Sequence, residues 1–325
     1  MASTGTPSPQ TASGAPRPGG TGTLAGRPVS RVGFGAMQLE RLRGDRAAAV
    51  ALLRRAVELG VDHVDTAEFY GHGLVNGLIR EAIRPEDGVL VVTKVGATPD
   101  PDGPLPLRLA QRPEELRADV EANLKSLGVE RLEVVNLRRA DTRPGVRAEG
   151  DQVVDLDDQL AVLTALRDEG KIGAIGLSAV TLDVLRRAIP AGIACVQNAY
   201  SLVARGDEEL LELCLAEGIA WVPFFPLGGA FDGMPKVADE PAVEAVARSL
   251  GCTPSQAGLA WLLHRAPNVL LIPGTADAGH LEANLAAGAL AFDAATRAAL
   301  DAVTPPEVSE EALSLGSARH GQNPS

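Results

Sequence analysis

Positive charge is the first thing in short supply: 30 Lys plus Arg stand against 42 Asp plus Glu, a formal charge of −12 over 325 residues. With no long Lys/Arg run, such a chain repels phosphate backbones and anionic headgroups, which argues against nucleic acid or a membrane surface as partner. Long apolar stretches are missing too. The runs present, such as residues 88–95, are broken by charge and fall short of the roughly 20 residues a membrane span needs. The chain reads as soluble. Cysteine is scarce and odd in number: Cys195, Cys214 and Cys252 have neither CxxC nor Cys/His ligand spacing. They read as reduced core thiols of a cytoplasmic protein, and no metal is expected. No secretory signal is expected either, since no apolar centre follows basic residues near the start. What is present is globular in proportion, with 45% apolar and 22% charged residues.

Residues 1–27 are dominated by Ser, Thr, Pro and Gly and bury too little to offset ordering entropy, so a disordered leader is expected. A polar tail is expected over 305–325, with 312–315 able to dock on the body. The body is 28–304. There, short β-branched runs alternate with segments of helical period. Strand candidates are 32–36, 63–66, 89–95, 132–138, 172–178, 194–198, 220–224 and 269–273. The helix after each is placed at 45–59, 74–83, 113–127, 157–169, 182–189, 207–217, 241–250 and 278–287, with extra helices at 253–265 and 293–302. Eight βα units fit one (β/α)8 TIM barrel, an α/β fold of about 250 residues, with two extra C-terminal helices. A doubly wound dinucleotide sheet predicts GxGxxG after the first strand, but Gly33-Phe34-Gly35-Ala36-Met37-Gln38 lacks the third glycine. The barrel directs attention to the carboxyl tips of its strands.

Adjacent tips carry Asp65 and Tyr70 on one side and Lys94 on the other. A lysine ending an apolar strand needs a counter-ion, which Asp65 supplies. At about 4 Å and an effective dielectric near 20, an ammonium stabilises a phenolate by roughly 4 kcal/mol, or about three pKa units. That predicts a Tyr70 phenol drawn toward neutrality as a general acid. A structural Asp65–Lys94 pair with Tyr70 as packing satisfies the same spacing.

In order along the body, Asp65-Thr66-Ala67, Tyr70-Gly71, Lys94, Gly176-Leu177-Ser178, Gln197-Asn198, Phe225-Pro226-Leu227-Gly228-Gly229 and Ile272-Pro273-Gly274-Thr275 with Asn284 make a pattern that resembles the aldo-keto reductase family. The resemblance implies an NADP(H)-dependent reductase of an aldehyde or ketone, with Tyr70 as proton donor, Lys94 lowering its pKa and Asp65 holding Lys94. It also implies that Ser178 and Gln197 meet the nicotinamide, that Phe224 stacks on its ring where the family usually has Tyr, and that Leu227, Gly228, Thr275 and Asn284 line the pyrophosphate and adenosine. Gly35, Met37, Asp65, Pro226, Pro273, Gly274 and His280 complete the implied cofactor contacts.

Departures from the pattern are specific. Arg138 stands where the family usually has His. It cannot shuttle protons at neutral pH, but its N–H fork can polarise a carbonyl or hold an anionic oxygen; an exposed arginine in a structural salt bridge is the plain alternative. Ala179 replaces a frequent Asn, and His280 and Gly274 replace frequent cations, which leaves NAD(H) open beside NADP(H). Bacterial relatives with Asn-Leu-Arg at this strand end include proteins resembling pyridoxal reductase, so pyridoxal is a candidate substrate. His72 reads as a solvated loop residue, His63 as an interior one, and Trp221 and Trp261 as core. Gly176 to Val180 lacks the second glycine of GxSxG. Glu68, Phe69 and the segments 96–112, 140–154 and 229–240 are expected to border the carbonyl pocket. A vestigial barrel that binds nicotinamide cofactor as a redox sensor is the alternative, and a hydrolase or lyase on the same scaffold a third. The oligomeric state is not legible.

Overall fold

The computed structural model describes residues 14–103, 107–142, 146–229 and 234–306. Its centre is a parallel sheet of β1 (Phe34–Gly35), β2 (His63–Asp65), β3 (Leu90–Val95), β4 (Leu132–Arg138), β5 (Ile172–Ser178), β6 (Ile193–Gln197) and β7 (Ala220–Trp221), each paired with its neighbour in that order. The expected eighth strand, 269–273, forms no continuous ladder. It is present as a stave that bridges Trp221 through Val269 on one side, and Val32 and Gly35 through Leu271 and Gly274 on the other, closing the (β/α)8 barrel. The expected seventh strand is likewise shortened, with Phe224 joined to the sheet by a separate bridge to Ala199.

The helices form where the 3.6-residue period and the caps coincide. In α1 (Arg46–Glu58), Asp45 accepts from the Ala48 N–H and Ala49, Val50, Leu52, Leu53 and Ala56 are buried against the sheet. Next come α2 (Leu74–Ala82), α3 (Pro113–Leu127), α4 (Leu156–Asp168), α5 (Leu182–Ala188), α6 (Glu208–Ala216) and α7 (Pro241–Leu250). Then α8 (Pro254–Arg265), with a Thr253/Gln256 capping box and Pro at its first position, α9 (Ala278–Ala286) and α10 (Ala294–Asp301) complete the set. All ten expected helices are found.

The expected leader boundary at residue 27 needs correction. Thr21–Leu24 and Arg27–Ser30 pair as an antiparallel hairpin. Leu24 and Val29 pack into the barrel floor with Leu90, Val92, Val134, Cys195, Ala220, Val222, Leu270 and Ile272. Ser30 donates to Asp62 Oδ1 through both N–H and Oγ at 2.7 Å, and Arg17 Nε donates to Oδ2 at 3.0 Å. Apolar burial and this ion pair order a segment whose composition is otherwise that of a coil. Residues 1–13 and the proposed docking stretch 312–315 lie outside the described residues. Of the three long segments, 96–112 folds partly into an antiparallel pair, Ala97–Pro99 with Leu107–Leu109.

Candidate active site

Strand alternation carries the floor residues upward to the site. Leu90 and Val92 lie in the floor, so Lys94, two residues on, shares their inward face. The same step leads from Val134 through Asn136 to Arg138, from Cys195 to Gln197, from Ala220 and Val222 to Phe224, and from Leu270 and Ile272 to Gly274. The barrel is therefore apolar at the bottom and polar at the carboxyl end.

Lys94 is the hub of that rim. Its Nζ lies 2.5 Å from Asp65 Oδ1, 2.9 Å from the Thr66 carbonyl and 3.1 Å from Tyr70 Oη, and 5.0 Å from the Tyr70 ring centroid. Lys94 is 6% and Asp65 4% exposed, so the pair is desolvated. Burial works to lower the Lys94 ammonium, but Asp65 and then Tyr70 overcome it, and its pKa lies above the usual lysine value. The Tyr70 phenol does not fall toward neutrality as expected. Burial pushes it up, Lys94 pulls it down and Asp65 pushes it up again, leaving it above the ordinary tyrosine value. The main cause is burial of the phenol; Asp65, 2.5 Å from Nζ, adds to it by offsetting part of the ammonium's pull. Phe69 packs edge-on against Tyr70, ring centroids 5.1 Å apart.

Arg138 is half-buried at the tip of β4, close enough to Tyr70 for their charges to couple. Burial draws its guanidinium below the usual arginine value, and Tyr70 opposes that. No ion pair to Arg138 occurs among the described residues, and its Nη1 is buried without a hydrogen-bond partner. The exposed, salt-bridged arginine is thereby set aside. Its backbone is held by Gln111, whose Nε2 donates to the Arg138 and Gly96 carbonyls, both at 2.6 Å. Gln159 braces Gln111 in turn, donating to its carbonyl at 2.8 Å.

Asn136, one turn of the pleat below Arg138, was not singled out from the sequence, although its place in an inward-facing series signalled it. It is fully buried, accepts from Cys195 Sγ at 3.2 Å, and leaves Nδ2 unpartnered. A Cβ on the neighbouring Gly176 would come within 1.9 Å of its Oδ1, so that glycine is what makes room for it.

On the cofactor side, Gln197 Nε2 donates to Asp65 Oδ2 at 2.7 Å while its Oε1 is buried without a partner. An acceptor left open beside the Asp65–Lys94 pair suits the carboxamide N–H of a nicotinamide. Ser178 is buried at the tip of β5, and the next turn is fixed by Asn198, which accepts from the Val180 N–H and donates to its carbonyl. Ala179 there has φ +54. Phe224 meets Phe225 edge-on at 5.0 Å, ahead of Pro226, Leu227 and Gly228, which are half-buried. Gly35 and Gly274 bridge β1 to the eighth stave; Pro273 and Thr275 are buried, Met37 exposed. His280 and Asn284 lie on α9, the former exposed with Nδ1 4.0 Å from Asp277. Between Ile272 and Asn284 the chain has no Lys or Arg, so His280 is the basic side chain that segment offers a 2′-phosphate. His72 is exposed in its turn. His63 is buried, with its imidazole held below the usual value by burial against the pull of Asp62.

The sequence model of the aldo/keto reductase family matches residues 31–305. The chain is 42% identical to pyridoxine 4-dehydrogenase of Escherichia coli (strain K12) over 292 residues, 87% of this chain and 98% of that protein. It is 34% identical to an uncharacterized oxidoreductase of Schizosaccharomyces pombe over 293 residues, 87% of this chain and 89% of that protein. Its fold is similar to that of an aldo-keto reductase from Klebsiella pneumoniae in complex with NADPH, with a TM-score of 0.73, 25% identity, and coverage of 88% and 95% of the two chains.

Proposed function

The chain belongs to the aldo/keto reductase family, and from that membership we propose that Tyr70 is the acid that protonates the carbonyl oxygen as this NADP(H)-dependent oxidoreductase reduces an aldehyde or ketone to an alcohol. The hydride would come from the nicotinamide dinucleotide when it is bound. Gln197 and Ser178 would hold its carboxamide, Phe224 would meet its ring, and Gly228, Thr275 and Asn284 would bind its phosphates and adenosine. The single observation that carries this reading is the Asp65–Lys94–Tyr70 chain, with Nζ 3.1 Å from the phenol. Because burial keeps the phenol protonated, Tyr70 enters the reaction in the form a proton donor needs, and Lys94 stabilises the phenolate that remains. Arg138 offers its open N–H to an anionic oxygen flanking the substrate's carbonyl.

Pyridoxal is the substrate this arrangement favours: its aldehyde adjoins a phenolic oxygen that a guanidinium can hold, and the E. coli relative is named for the corresponding alcohol. Three free thiols, two of them buried, support a cytoplasmic setting. The test is a panel of pyridoxal and generic aldehydes with NADPH, run on the parent and on Tyr70→Phe. The parent should oxidise NADPH faster with pyridoxal, and the variant should bind NADPH normally without turnover. A variant that still turns over removes Tyr70 from its role. Equal weak rates on all aldehydes remove pyridoxal, and tight NADPH binding with no turnover across the panel makes the barrel a redox sensor.

A further inference from the structure

Between α2, α3 and the outer face of β3, where a barrel of this kind packs mostly apolar side chains, stand two fully buried asparagines. Asn76, in the first turn of α2, accepts from Thr66 Oγ1 at 2.8 Å. Its Nδ2 lies 2.8 Å from Glu68 Oε2, 2.9 Å from Ser126 Oγ and 3.2 Å from Asn123 Oδ1, three acceptors for two hydrogens. Asn123, on α3, accepts from Thr93 Oγ1 at 2.5 Å and donates to the Asp119 carbonyl at 2.9 Å and the Lys94 carbonyl at 3.4 Å. Ser126 Oγ donates to Glu68 Oε2 at 2.5 Å.

Both ends of this cluster run into the proton-donating group. The Thr66 carbonyl is one of the three acceptors around Lys94 Nζ, and Thr93 precedes Lys94 on the strand. Glu68 belongs to the turn that presents Tyr70. Its carbonyl accepts from the Gly73 N–H at 2.8 Å, and a Cβ on Gly73, whose φ is +78, would sit 2.7 Å from Oε1. Apolar side chains would fill this space at no loss of burial. What satisfied amides add is one fixed geometry.

We propose that Asn76 is a positioning residue for the reaction: through Thr66 and Glu68 it fixes the turn 66–73 and thereby the 3.1 Å contact between Lys94 Nζ and Tyr70 Oη. This rests on Tyr70 being the proton donor. Asn76 touches neither substrate nor cofactor.

Asn76→Asp keeps the shape and the acceptor for Thr66 but sets a carboxylate against Glu68; adding Glu68→Gln returns a donor to that contact. Thr66→Val is the milder second variant, removing the hydroxyl and sparing the carbonyl that holds Lys94. In NADPH-dependent reduction of pyridoxal and of 4-nitrobenzaldehyde, Asn76→Asp should lower kcat roughly 10- to 100-fold, the effect of disturbing groups behind a reacting centre. Loosening Lys94 from the phenol removes the pull that lowers its pKa, so the alkaline limb of kcat should move to higher pH. The NADPH Kd, read by quenching of protein fluorescence, should stay at the parental value. The double variant should regain most of the rate, and Thr66→Val should shift the limb the same way. A parental kcat and pH profile in either folded single variant overturns the proposal. So does a rate loss that tracks NADPH affinity, or one that Glu68→Gln does not relieve; and if Asn76→Asp does not fold, the limb of Thr66→Val decides alone. Turnover by Tyr70→Phe would instead sink the donor assignment, whereas a dead Tyr70→Phe beside a normal Asn76→Asp sinks this inference only.

Discussion

At the half-buried Arg138 one nitrogen, Nη1, is buried without a hydrogen-bond partner, an arrangement that costs about 1–3 kcal/mol. A ligand oxygen that completes the bond recovers that energy on binding, and an aldehyde flanked by a phenolic oxygen does so where a simple aldehyde does not. Arg138→Met should therefore lower kcat/KM for pyridoxal by about 2 kcal/mol, roughly 30-fold, and for 4-nitrobenzaldehyde much less. Arg138→Lys, which keeps the charge but loses the fork, should fall between. Steady-state rates on the two aldehydes check this; equal losses on both would make Arg138 a general stabiliser of the developing oxyanion. The Tyr70 phenol bears on the same experiment. Its pKa, raised by burial, keeps it protonated through the neutral range, so reductive rates should stay level there and fall only in alkaline solution.

Among the elements, the N-terminal hairpin shows how tertiary packing overrides composition. Leu24 is 2% exposed beneath Leu90, Val134 and Leu270, so Leu24→Ala should remove about 2–4 kcal/mol of stability with catalytic constants unchanged, as urea titration and steady-state rates would report. A loss under about 0.5 kcal/mol would make the hairpin an appendage, since surface changes alone stay within about that range. That segment was illegible because its Ser, Pro and Gly describe local propensity, while its burial depends on a barrel floor assembled from distant strands. The strand tips were legible for the opposite reason. A period of two, once the barrel is recognised, puts Asp65, Lys94, Arg138, Ser178, Gln197 and Phe224 on the inner rim without any contact being known. Asn76 and Asn123 gave no such signal. They bond to each other 47 positions apart, and each lies in a helix whose periodicity reads as ordinary. The direction of the Tyr70 shift was equally out of reach, because the spacing of charges says nothing about how deeply they are buried.

For the molecule as a whole, pH couples stability to one buried carboxyl. Asp119 on α3 accepts from the Gly96 N–H at 3.0 Å, yet burial pushes its pKa up to about 7, with Glu115 and Glu68 adding to the rise and Arg108 opposing it. A carboxyl whose folded pKa exceeds its unfolded one binds protons more tightly when folded, so its contribution is complete below the unfolded value of about 4 and is lost as pH climbs from there through about 7. The loss is at most about 4 kcal/mol at 1.36 kcal/mol per unit. Glu115 acts in the opposite sense: burial would raise it, but Arg112, Gln152 and Arg108 lower it to about 2, so its stabilisation is lost as the solution turns strongly acidic. The chain's charge of −12 at pH 7 grows with pH, and self-repulsion adds to the alkaline side. Maximum stability should consequently lie in mildly acidic solution. Asp119→Asn retains an acceptor for Gly96 and removes the ionisation. Its Tm should match the parent's near the unfolded carboxyl's pKa of about 4, rise above it from there to about pH 7 and keep that advantage in alkali, measured by calorimetry across the range. Parallel Tm curves for the two proteins would show that Asp119 does not titrate in this window, and the alkaline loss would then fall to the net charge.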